Sequence, residues 1–173
     1  RFQQEKKYGR LYTKDRGYAF ERQLNRNTLN LMDHSLGFYK SFEQSAMIPT
    51  MIFSPTIVND GRRLIISSQS LAFLSRNSTF KNATASYENI DYQSLFKNNN
   101  PGELNFTSVI RMSASFPYVL PMVSLPTYPE IQVMDAGVRD NYGGKIALEY
   151  LYELSDWIRK NTKGVIIVQI RDN

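Results

Sequence analysis

Near its end the chain reads strand, helix, strand, and few patterns restrict a fold more. Ile131-Gln132-Val133-Met134 is a short β-rich run. Over 145–161 the apolar stripe Ala147, Tyr150, Leu151, Leu154, Trp157 and Ile158 predicts one helix of about 17 residues, roughly 25 Å long. Arg159, Lys160 and Lys163 gather where a helix dipole favours cations, and Gly164 is a natural stop. Val165-Ile166-Ile167-Val168-Gln169-Ile170 is almost continuously apolar, as expected of a strand covered on both faces. Strand, helix, strand implies a right-handed crossover, and hence an α/β fold, a layered sheet with flanking helices. At 173 residues the chain can build one domain with its own core, spanning 1–173. Further sequence is expected on both sides, because the chain opens on Arg1 rather than Met and stops just after the last apolar run.

A second pattern precedes this one. Met51-Ile52-Phe53 and Thr56-Ile57-Val58 lead through Asn59-Asp60-Gly61 into Leu64-Ile65-Ile66. Two β-rich runs joined by a turn containing Asp-Gly predict an antiparallel hairpin, since glycine accepts the positive φ such turns need. Pro55 removes one ladder donor and predicts a bend. Residues 1–46 suggest one or two short helices with connecting loops. The Ser-, Thr-, Asn- and Lys-rich stretch 75–103 is expected to be a long surface loop, either a solvated insertion or a flap. Residues 107–114 predict a short helix ended by Pro117. Asn77, Asn82 and Asn105 each open an Asn-x-Ser/Thr match, a pattern that arises by chance in an Asn-rich chain.

Composition removes several chemistries. There is no cysteine, so disulfides, thiolate catalysis and thiolate metal sites are excluded. His34 is the only histidine, which rules out a multi-histidine zinc centre within the chain. It sits beside Ser35, but adjacent side chains seldom make a productive dyad, and a surface or packing role is expected. No apolar run approaches the roughly 18–20 residues of a membrane-spanning helix. The net charge of +5 is spread along the chain without the dense aromatic-interleaved patch of a nucleic-acid binder. Attraction to an anionic lipid surface is the cationic role it fits better.

The segment 113–141 carries the chemistry. Asp135 follows the Ile131–Met134 run and enters the small-residue turn Ala136-Gly137. A carboxylate at the C-terminal end of a strand stands where α/β sheets bind ligands, and can act as general base. The same placement suits an Asp that caps the next turn.

Ser113-Ala114-Ser115-Phe116-Pro117, followed after about twenty residues by Met134-Asp135-Ala136-Gly137-Val138-Arg139-Asp140-Asn141, resembles the second half of the patatin-like phospholipase (acyl hydrolase) family. The hairpin with Pro55-Thr56 and Asp60-Gly61 is similar to the strand pair that precedes these segments in the family. The likeness covers roughly 47–170. It implies a partial patatin-like α/β fold including the antiparallel hairpin. It further implies that Asp135 is the aspartate of a Ser-Asp dyad, Gly137 the turn glycine and Asn141 the residue ordering the loop behind it. Ser113, Ser115 and Pro117 would form the helix end packed near the site. The implied substrate is a lipid or another ester, with peripheral membrane contact and no cofactor, metal or nucleic acid.

Two departures qualify the resemblance. The family's Gly-x-Ser-x-Gly elbow is absent, and Asp33-His34-Ser35-Leu36-Gly37 lacks its first glycine, so neither nucleophile nor oxyanion loop is expected within this chain. Alone, the chain is expected to be inactive. Ala136 replaces the usual glycine, so the turn must be built with that residue in an ordinary backbone region. The alternatives are a non-catalytic α/β interaction domain with Asp135 as a cap, and a cationic surface binder.

Overall fold

The computed structural model describes residues 3–75 and 88–170. The fold is mixed α/β, with a five-stranded sheet, a separate two-stranded hairpin and flanking helices. The hairpin comes first: β1 (Gln4–Lys7) pairs antiparallel with β2 (Arg10–Thr13) around Tyr8 and Gly9, both at positive φ. Sequence reading missed it, because a charged run such as Gln-Glu-Lys-Lys offers no apolar alternation. Helix α1 (Arg16–Asn27) follows, with Asp15 accepting from the Tyr18 N–H at 2.9 Å as its N-cap. A 3₁₀ turn (Leu36–Tyr39) and α2 (Lys40–Gln44) complete this polar first part.

The predicted hairpin at 51–68 is present. Strand β3 (Thr56–Ile57) pairs antiparallel with β4 (Arg63–Ile65), and a bridge joins Phe53 to Ile66 beyond the break at Pro55. Gly61 takes φ +76° in the turn, where a side chain would be strained. The loop expected at 75–103 is not what the described part of that stretch forms. Residues 76–87 lie outside those described, whereas 88–103 are built into the fold. There β5 (Asn89–Asp91) runs parallel to β4 at the sheet edge, and α3 (Tyr92–Leu95) puts Tyr92 in the core with Phe96 behind it. Composition pointed the wrong way because Asn89 and Asp91 are buried and paired: Asn89 donates to the Leu74 carbonyl and to Glu149, and Asp91 receives Ser70, Leu71 and Ser94.

Helix α4 (Phe106–Ser113) matches the expected short helix and turns Phe106, Val109 and Met112 inward. Strand β6 (Val123–Leu125) pairs antiparallel with β7 (Ile131–Met134), which pairs antiparallel with β3, giving the order β5-β4-β3-β7-β6. The interior strand β4 is buried on both faces. Leu64 and Ile66 face the main core with Val109 and Val133, and Ile65 faces a second cluster with Leu71, Leu74 and Ile146. Each such fully buried aliphatic side chain stabilises by about 1.5–3 kcal/mol.

Beyond β7 lie α5 (Gly137–Asp140), α6 (Gly144–Glu153) and α7 (Ser155–Asn161). The single helix expected over 145–161 is therefore two, divided at Leu154. Its inward face is also different. Ile146 and Tyr150 pack on the second cluster while Ala147 is exposed, because Glu149 turns toward Arg63 and fixes the rotation of α6. The strand expected at 165–170 is not formed. That run pairs with no strand among the described residues, and Ile166 and Ile170 are 91% and 90% exposed. The predicted crossover to it is accordingly not formed among the described residues, where the one parallel pairing is β4 with β5. Apolar continuity states what a segment is able to bury, not which neighbour stands beside it.

Candidate active site

Strand β7 ends with Met134 opposite Thr56. The next peptide leaves the sheet and is held from two sides. The Asp135 N–H donates to the Ser115 carbonyl at 3.1 Å, and the Ala136 N–H donates to the Ser113 carbonyl at 3.1 Å. Carbonyls at and just past the end of a helix lack intrahelical donors, and here the turn supplies them. From the sheet side, the buried Thr56 hydroxyl donates to the Asp135 carbonyl at 3.0 Å. Ala136 sits at φ −65°, ψ −30°, the ordinary region alanine requires.

The half-buried Asp135 carboxylate uses one oxygen. Its Oδ1 accepts the Gly137 N–H at 2.6 Å, and Oδ2 takes no hydrogen bond among the described residues. Gly137 opens α5 and is needed for space rather than for backbone conformation. A Cβ there would stand 2.7 Å from Asp135 Oδ1 and 2.7 Å from Asn141 Oδ1. A side chain at Gly137 would thus meet both Asp135 and Asn141, and Ser113 and Ser115 are bound to the turn through their carbonyls. Ser115 is fully buried, its hydroxyl donating to the Arg111 carbonyl at 2.7 Å. The Ser113 Oγ is buried with no partner among the described residues. Neither hydroxyl hydrogen-bonds to Asp135. Pro117 is half-buried in the loop that leaves α4, where Phe116, Tyr118 and Val119 are exposed.

Chemically, this is a carboxylate on a rigid backbone with one oxygen engaged and one free to accept a proton. The engaged oxygen satisfies an orphan donor at the start of α5, so a capping function is present in the same group. Thr56 is the contributor that sequence reasoning left without a role; its signal was a polar residue inside a strand, between Pro55 and Ile57. His34 stacks on Phe38 at 3.9 Å with the rings 8° apart, and its carbonyl accepts the Phe106 N–H, so it packs and orders backbone. Ser35 lies in a bridge to Asn105. Asn105 is only 4% exposed, which leaves its acceptor match no surface to present, while Asn77 and Asn82 lie outside the described residues. Among the described residues no three His, Asp or Glu side chains gather to hold a metal, and no helix is long and apolar enough to cross a membrane. No family model, curated protein or solved structure matches this chain.

Proposed function

We propose that this chain supplies the catalytic aspartate of a patatin-like lipid acyl hydrolase of the Ser-Asp type. The observation that carries the reading is the free Oδ2 of a carboxylate whose backbone is fixed by three hydrogen bonds, to Thr56 on β3 and to Ser113 and Ser115 at and just past the end of α4. In this reading a serine outside this chain loses its proton to Asp135 Oδ2 and attacks a lipid ester carbonyl. The proton then passes to the leaving alcohol. Water, deprotonated by the same carboxylate, releases the fatty acid from the acyl-enzyme. Oxyanion donors, likewise outside this chain, would supply a large share of the rate.

A second reading is favoured by the 2.6 Å bond from Gly137 N–H: Asp135 caps α5 in a non-catalytic interaction domain. Asp135→Asn in the protein that joins this chain to its serine segment separates the two. Asn keeps an acceptor for Gly137, so the cap reading expects full activity. The dyad reading expects a loss of ~10²–10⁴-fold in kcat at unchanged Tm. Retention of more than about a tenth of the activity would refute the dyad, since such a change is only ~1.4 kcal/mol of barrier. The 173-residue chain alone should release nothing from p-nitrophenyl esters.

A further inference from the structure

A polar cleft of about 200 Å³ opens at the far end of α4 from the Asp135 turn, between the β1–β2 hairpin, α1 and the segment entering α4. Eight helical residues, roughly 12 Å, separate the two regions, so the cleft is not part of the candidate active site. Its size is below the ~300–1,000 Å³ typical of sites for drug-sized ligands, which restricts it to one small molecule.

The groups on its wall divide into satisfied and unsatisfied sets. The buried Glu21 carboxylate is fully engaged, receiving Ser108 Oγ at 2.8 Å, Asn105 Nδ2 at 3.2 Å and Arg111. Lys7 is paired with Asp33, and the Tyr18 hydroxyl with Glu5. Four groups remain. Asn105 Oδ1 and Asn25 Oδ1 are buried acceptors with no donor, although the Asn105 amide nitrogen is fully used. A buried acceptor left without a donor costs about 1–3 kcal/mol, so two on one cleft call for donors from outside. Arg22 and Arg26, one helical turn apart on α1, line the same cleft, and neither has a carboxylate partner among the described residues.

We propose that this cleft binds a small phosphorylated polyol, with its phosphate on Arg22 and Arg26 and its hydroxyls donating to Asn25 and Asn105. Two guanidinium groups match the charge of about −1.5 to −2 on a phosphate monoester, and their planar forks suit its oxygens. The acceptor pair buried in the cleft wall needs donors set apart from the phosphate, which a polyol has, whereas the O–H groups of inorganic phosphate stand on the phosphorus that Arg22 and Arg26 would hold. The glycerol phosphate unit occurs both as a free monoester and, as a singly charged diester, in a phospholipid headgroup, so the hydroxyls and the anionic phosphate are shared while the second charge belongs to the free ester alone. The inference does not depend on the role of Asp135.

The test is calorimetric titration of the chain with glycerol 3-phosphate, glycerol and inorganic phosphate, alongside sedimentation with phosphatidylcholine vesicles with and without phosphatidylglycerol. Glycerol 3-phosphate should bind at least about tenfold more tightly than either fragment. The surface substitution pair Arg22→Gln and Arg26→Gln should weaken it at least about tenfold at unchanged Tm. Amide shifts of the unsubstituted chain, confined to Tyr12, Arg22, Asn25, Arg26 and Asn105, provide a readout that needs no variant. Vesicle binding that depends on phosphatidylglycerol and on both arginines would identify the headgroup as source, and binding of the soluble ester alone would identify the metabolite. Equal binding of inorganic phosphate, no binding of any probe, binding indifferent to Arg22 and Arg26, or shifts elsewhere would each overturn the proposal.

Discussion

The Arg63 guanidinium, its side chain 1% exposed, donates to Glu149 Oε1 at 2.7 Å and so ties the interior strand β4 to helix α6. Asp140 at 3.7 Å and Glu88 at 3.6 Å complete a ring of carboxylates around it. This cation, lying beneath the turn that follows the candidate site, is what sets α5 and α6 against the sheet.

Arg63→Ala should therefore destabilise the chain by about 3–5 kcal/mol, because three acids lose the charge they surround. Glu149→Gln should cost less, since Asp140 and Glu88 still face the arginine. Urea midpoints of both variants check the order. Equal losses would mean that Glu149 alone carries the network.

Asp140 belongs to this network and also accepts the Lys145 and Ile146 N–H groups, the latter at 2.9 Å. Asp140→Asn should lower Tm, although the residue stands only five positions beyond Asp135. The expected loss is about 1–3 kcal/mol, the usual range for a buried charge-assisted hydrogen bond. Differential scanning calorimetry reads it directly, and an unchanged Tm would show that Arg63 is neutralised without it.

At Gly137 the expectation is steric. Gly137→Ala brings a methyl group within 2.7 Å of the Asp135 and Asn141 side-chain oxygens, so the carboxylate must rotate away from the α5 N–H. A stability loss of about 1–3 kcal/mol is expected, as for other overpacked sites. If Asp135 is the dyad base proposed above, kcat of the serine-containing protein should fall with it. A variant of wild-type Tm and kcat would show that this turn is looser than the geometry implies.

Gly17→Ala tests the seam between α1 and the last turn of α4. Alanine normally favours a helix by about 1 kcal/mol over glycine. Here the added Cβ would meet the Arg111 guanidinium at 1.9 Å, and that group is held by Asp15 at 2.8 Å and by Glu21. The substitution should therefore destabilise, by about 2 kcal/mol or more. The same change made in an Arg111→Ala background should be neutral or stabilising, and equal effects in the two backgrounds would contradict the clash.

The pH dependence follows from Glu21, whose pKa is raised above its ordinary 4.5, first by burial and against the hydrogen bonds from Ser108, Arg111 and Asn105. Between 4.5 and the raised value the folded chain holds a proton that the unfolded chain has released, so stability falls as pH rises through that window. Glu88 acts oppositely below 4.5, its pKa lowered chiefly by the Lys145 hydrogen bond, so stability there falls as pH drops. In Glu21→Gln the fall above pH 4.5 should disappear while the acid limb remains. Urea midpoints across pH 3 to 8, in steps of about half a unit, would expose a variant that keeps the wild-type slope.

Much of the region around Asp135 could be read before any coordinates. The Asp-Gly turn, the Ile131–Met134 strand, the short helix ending near Ser113 and the ordinary backbone at Ala136 all depend on a few neighbouring residues. Local rules reach that far, since turn chemistry and strand or helix periodicity act over a handful of positions. The N-terminal hairpin was hidden because its strands are charged and half-exposed, and its turn places Tyr8 at positive φ.

The remainder was settled by partners distant in the chain. Asn89 and Asp91 look like loop residues until Leu74, Glu149, Ser70 and Ser94 are set beside them. The phase of α6 followed from an ion pair spanning 86 positions, between Arg63 and Glu149, and not from its apolar stripe. Thr56 reached the Asp135 carbonyl across 79 positions. The run at 165–170 carries the composition of a buried strand and stands exposed among the described residues. Composition and spacing determined which segments were able to form strands, turns and helices, because those preferences are intrinsic to short stretches of backbone. Which faces were buried, which charges were neutralised and which strands found a ladder was decided only in the tertiary structure, because burial and hydrogen bonding are properties of pairs.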